Sequence, residues 1–210
     1  MGFEFSDDVA SGAWFGLPVG TPERDAMVFV VQQLGPAGFE SYARALTVPD
    51  PPVPGTSIDE LDEQLWDAAP SERDIVVALL RAIEDLTGER PTLHFKFWVG
   101  HHYEPPLKPR TLDRMLPYRD YIHARGTLEE WLDWGRRNPG QNVCPAAVWP
   151  PDQSWCLSQD VDVLHVGVGG SHALIDALSQ RTAVTMAKVP WSRQSLGLGW
   201  SEDTSTTPTP

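Results

Sequence analysis

Leu93-His94-Phe95-Lys96-Phe97-Trp98-Val99 is where the chain changes its period, and its reading decides the fold class. Leu93, Phe95, Phe97 and Val99 alternate with His94, Lys96 and Trp98, the two-residue repeat of a half-buried strand. Upstream the apolar spacing is helical. Thr21-Pro22-Glu23 predicts a helix start that runs through Val31 to Leu34, with Gly35 as its stop. A second short helix is predicted from Pro36 to Leu46. Pro49–Pro54 is a proline-rich linker. Ser57 opens an acidic segment to Trp66, with Ile58, Leu61 and Leu65 on one stripe. Ser71 caps the clearest helix, to about Thr87, with Val76, Leu79, Leu80 and Ile83 on one face and Gly88 closing it.

Downstream the strands gather. Tyr118–Arg125 is predicted as a second strand, and Thr127-Leu128-Glu129-Glu130 as a capping box that starts a helix ended by Asn138-Pro139-Gly140. Ala146–Trp149 and Ser154–Gln159 read as strands around the Pro150–Gln153 turn. Val161–Val168 is a further strand, His172–Ser179 a helix and Thr182–Val189 a last strand. Ser201–Pro210 reads as a disordered tail. The expected architecture is α+β: a helical, acidic N-terminal half packed on a mostly antiparallel or mixed sheet. One domain is expected over 1–200, helical at about 21–88 and sheet-rich at about 91–200.

The chain has 210 residues and a net charge of −13. Residues 1–90 hold 17 acids against 5 bases, and residues 91–210 hold 12 against 11. Such a balance argues against a nucleic-acid partner, whose phosphates require Lys and Arg. No run of 18 apolar residues occurs, so no membrane span is expected. Met1–Asp8 carries neither a basic nor an apolar leader region, and Cys144 and Cys156 are the only cysteines. Both facts point to a cytoplasmic protein with reduced thiols.

The motifs that could carry chemistry fall short one by one. Gly169-Gly170-Ser171-His172-Ala173 is a near match to a nucleophile elbow, but no histidine follows His172 to serve as base. Gly167, Gly169, Gly170 and Ser171 also read as a glycine loop ahead of a helix, able to offer N–H groups to an anion. The loop lacks the lysine of a P-loop. His101-His102-Tyr103-Glu104 fits no metal-ligand spacing. The residue pattern calls for no metal and no cofactor. The nine tryptophans read chiefly as packing, with Trp131 and Trp134 on a helix and Trp149 and Trp155 flanking a turn.

One constellation stands out. His94, Lys96 and Trp98 share one strand face, and Arg119, Tyr121, His123 and Arg125 share another. If those faces adjoin, the sheet shows a cationic, aromatic surface. That surface is either solvated or covered by the chain's own acidic helices, with Glu60, Glu63 and Asp67 as counter-charges, or it is a groove for an anionic ligand or acidic partner.

Pro36-Ala37-Gly38-Phe39-Glu40-Ser41-Tyr42-Ala43-Arg44-Ala45-Leu46 resembles the opening of a group of uncharacterised actinobacterial proteins. Trp149-Pro150-Pro151-Asp152-Gln153-Ser154-Trp155, Asp160-Val161-Asp162 and Gly169-Gly170-Ser171 resemble their later signature. Gln153 stands where the group shows Arg, and His165-Val166-Gly167 where it shows a Ser-Thr-Tyr run. The resemblance implies no activity. The leading expectation is a non-enzymatic, immunity-like interaction domain whose acidic surface meets a basic protein partner. The alternative is an enzyme or sensor for a small anionic ligand at the glycine loop or the His94/Lys96/Arg119/Arg125 face.

Overall fold

The computed structural model describes residues 2–16, 22–50, 65, 68–101, 111–114, 119–141, 143–161 and 163–196. Its centre is one eight-stranded sheet. The strands are β1 (Glu4–Ser6), β2 (Ser41–Leu46), β3 (Leu93–Trp98), β4 (Tyr121–Gly126), β5 (Ala147–Trp149), β6 (Cys156–Ser158), β7 (His165–Gly170) and β8 (Met186–Val189). They lie in the order β1-β4-β3-β5-β6-β7-β2-β8, and every neighbouring pair is antiparallel.

Four α-helices among the described residues flank it: α1 (Pro22–Leu34), α2 (Glu72–Thr87), α3 (Leu128–Arg137) and α4 (His172–Arg181). The capping chemistry sets the last three. Ser71 Oγ accepts the Asp74 N–H at 3.2 Å while Asp74 Oδ2 accepts the Ser71 N–H at 3.3 Å. Thr127 and Glu130 do the same for α3, and Ser171 Oγ accepts the Leu174 N–H at 3.1 Å for α4. Gly88 closes α2 at φ 71°, a conformation that glycine enters without a Cβ penalty.

The period-two pattern of β3 divides the protein into two cores. On one face Phe95, Phe97, Ile122, Ala124, Val148, Val166 and Val168 pack with Leu79 and Leu80 of α2, Trp131 of α3 and Ile175 of α4. Each large apolar side chain removed from water there contributes about 1.5–3 kcal/mol. On the other face Tyr121, Ala147, Trp149 and Cys156 meet Phe15 and Val31. The cover on that side is α1 and a 3-10 turn, Ala10–Phe15. Trp131, Trp134, Trp149 and Trp155 are all buried, in keeping with their packing role.

Several sequence expectations are corrected. The Pro36–Leu46 helix does not form: its second half is strand β2, held between β7 and β8. Tyr42 O–H donates to the Pro36 carbonyl at 2.8 Å and accepts the Phe39 N–H, folding the first half into a tight loop instead. The first 90 residues are therefore not a helical half, since β1 and β2 also come from them. The second strand begins at Tyr121 rather than 118, and β7 runs His165–Gly170, so its glycines lie in a strand. The acidic segment 57–66, except Leu65, and the tail 201–210 lie outside the described residues, as do Glu60, Glu63 and Asp67.

Candidate functional site

Strands β3 and β4 pair in the register that brings the cationic faces together. Lys96 stands opposite His123, His94 opposite Arg125 and Trp98 opposite Tyr121. Asp113 joins them from the segment just before β4, eight residues upstream of Tyr121. Its N–H donates to the Tyr121 carbonyl at 2.8 Å and its carbonyl accepts the Tyr121 N–H at 2.9 Å. This one-residue bridge places the Asp113 side chain on the same face.

The result is a buried charge array. Lys96, Asp113 and His123 are each no more than 2% exposed. Lys96 Nζ lies 2.9 Å from Asp113 Oδ2, and His123 Nε2 lies 2.9 Å from the same oxygen. The far side of the imidazole, Nδ1, faces Ser11 Oγ at 3.3 Å. The Lys96 ammonium also sits over the rings of Tyr121 (4.3 Å) and Phe15 (4.6 Å). Burial pulls the Lys96 amine below the usual lysine range, and Asp113 acts in the opposite direction. Burial likewise lowers the imidazole of His94, assisted by His123, and raises the Tyr121 phenol.

The rest of the face is neutralised at its margins. Arg119 pairs with Asp160 at 2.8 Å and stacks over Trp98 at 4.2 Å. Arg125 reaches Glu4 at 4.0 Å. His94 stacks on Trp149, ring centres 5.6 Å apart. Gln32 of α1 donates to the Tyr121 hydroxyl at 3.3 Å. Between Phe15, Val31, Gln32, Lys96 and Tyr121 there remains a cavity of about 10 Å³, room for one water and nothing larger. The predicted juxtaposition is thus present, and its cover is the 3-10 turn and α1 with carboxylates from 4, 113 and 160.

The glycine stretch takes a different role from an anion loop. A Cβ on Gly167 would lie 2.0 Å from the Gln33 carbonyl oxygen, and one on Gly169 would lie 2.3 Å from the Phe39 ring. These glycines let α1 and Phe39 approach the sheet. Gly170 faces Leu174. At the start of α4 the His172 N–H donates to Glu40 Oε2 at 3.2 Å, so a carboxylate of the chain sits where an anion would bind. Ser171 spends its hydroxyl on the cap.

Cys144 and Cys156 are free thiols, and burial pushes both upward, Cys156 to about 12. Among the described residues no three His, Cys, Asp or Glu side chains are grouped to hold a metal ion. Nor is any helix among them long and apolar enough to cross a membrane. Sequence reasoning missed Ser11, Asp113 and Asp160. No spacing connects residues 11, 113 and 123, and only the folded sheet unites them. No family model, curated protein or solved structure matches the chain.

Proposed function

We propose that the protein is a cytoplasmic, immunity-like interaction domain, one unit over about residues 1–200, whose acidic surface meets a basic protein partner. One observation carries this reading. The bases of the β3–β4 face are engaged by acids of the same chain: Lys96 by Asp113, Arg119 by Asp160 and Arg125 by Glu4. Among the described residues these ion pairs match three acids with three bases, so they contribute nothing to the net charge of −13. A surplus of that size steers association with a positive surface and makes it salt-dependent. The resemblance to the actinobacterial group adds no competing activity.

The test is affinity capture with the full chain, followed by titration of the purified partner. The expected partner is basic, and its affinity falls at least tenfold between 50 and 300 mM salt, on the order expected for steered charged surfaces. A partner bound with no salt dependence, or none captured, overturns the reading. The anionic-ligand alternative is checked by thermal shift with nucleotides and phosphorylated metabolites. A ligand that binds the folded state raises the melting temperature.

A further inference from the structure

We propose that Ser11 is an activated nucleophile, and that Ser11, His123 and Asp113 form a hydroxyl–imidazole–carboxylate relay able to accept the acyl group of a neutral or cationic carboxylic ester. The proposal is independent of the interaction reading.

The tautomer follows from the partners. Asp113 beside the Lys96 ammonium is a carboxylate and can only accept a hydrogen bond. The proton of His123 therefore sits on Nε2, which donates to Asp113 Oδ2 at 2.9 Å. That leaves the Nδ1 lone pair directed at Ser11 Oγ, 3.3 Å away. A base oriented by a carboxylate and aimed at a hydroxyl is the arrangement that activates a serine. The roles of the two ring nitrogens are exchanged relative to the usual triad. A second acceptor competes for the hydroxyl proton, the Asp8 carbonyl, also at 3.3 Å.

The surroundings fix this geometry. His123 is anchored in β4, with its ring edge-on to Trp149 at 5.8 Å. Gly12 brings the serine close: a Cβ at that position would lie 2.6 Å from His123 Cε1 and 3.4 Å from Asp113 Oδ2. Any other residue at 12 would push the turn, and Ser11 with it, off the imidazole. Lys96, Asp113 and His123 are buried, whereas Ser11 is only partly so. The relay thus ends at the surface with its hydroxyl. Asp7 and Asp8 precede it, and their charge disfavours anionic acyl donors and admits neutral or cationic ones.

In the reaction the Ser11 Oγ–carbon bond forms as the hydroxyl proton passes to His123 Nδ1. The ester carbon–oxygen bond then breaks, and His123 returns the proton to the departing alkoxide. Water, deprotonated by His123, attacks the acyl-serine, releases the carboxylic acid and restores the hydroxyl. Asp113 and Lys96 are positioning residues in this scheme.

The experiment treats the full chain with a fluorophosphonate, which forms an Oγ–phosphorus bond with loss of fluoride, and with p-nitrophenyl acetate. The expected result is one adduct, mapped to Ser11, together with p-nitrophenol release. Both are lost in Ser11→Ala, and adduct formation slows at least tenfold in His123→Gln. Since His123→Gln disturbs the buried array, a second comparison uses thiols. Ser11→Cys is expected to react with iodoacetamide at least tenfold faster than Ala13→Cys on the same turn. No adduct on the folded protein, an adduct that survives Ser11→Ala, or equal thiol rates at 11 and 13 overturns the proposal. Partner capture by Ser11→Ala stays at the wild-type level, so the two readings fail separately.

Discussion

Phe95 and Phe97 point from β3 into an apolar core, and Lys96 between them points the opposite way into a cluster of charges. The two sides of one sheet are thus buried by different physics. On the α2–α3–α4 side, stability comes from area removed from water and from close packing. On the α1 side a smaller apolar cluster around Phe15, Val31 and Trp149 surrounds charges matched within a few ångströms, and a buried ion is tolerated only when paired. The first kind of burial needs shape complementarity but no particular chemical partner. The second fails when one member is removed, and that is the sense in which one face is robust and the other conditional.

Three measurements would break or sharpen that contrast. The largest effect is expected on the apolar side: Phe95→Ala should cost about 4 kcal/mol in urea denaturation, with the same loss at pH 7 and pH 5.5. Lys96→Met should cost about 3 kcal/mol, because it removes the ammonium 2.9 Å from the buried Asp113 carboxylate. If Lys96→Met were as stable as wild type, the charged face would be no more conditional than the apolar one. The third effect concerns His165, a buried imidazole on the α1 side. Burial lowers it to about 3, with Arg44 adding to the shift. A folded value below the unfolded one means that the unfolded chain binds the extra proton. Stability from this group is therefore complete above about pH 6.5 and is lost as pH falls towards about 3, by about 1.4 kcal/mol per unit. Urea titrations at pH 7, 6 and 5 would show this slope, and His165→Gln should flatten it.

The parts of this fold that were legible in the sequence are those fixed by local chemistry. The Ser71 cap, the Thr127–Glu130 box, and the alternation from Leu93 to Trp98 each carry their own signal, and each forms as read. The stretch Ser41–Leu46 was not legible. Tyr-Ala-Arg-Ala-Leu favours a helix by propensity, and only its place between β7 and β8 makes it a strand. The glycines at 167 and 169 look like a ligand loop until α1 and Phe39 are seen pressed against them. The site divides the same way. The period of a strand is two, and that alone puts Lys96 and His123 on shared faces of their strands. Ser11 arrives from a 3-10 turn 112 residues before His123 and Asp113 from an irregular segment ten residues before it, and neither contact leaves a periodic trace.

The position of β2 has a consequence in time as well as in space. Its two neighbours, β7 and β8, are made long after it. At roughly 5–20 residues per second of synthesis, β2 waits on the order of 10 s for its first sheet partner. β2 must stay soluble through that interval, and the sheet can close only after β8, which ends at Val189, has been made. Long-range pairing of this sort slows folding. Truncation before residue 165 would leave the nascent chain without the strands that flank β2.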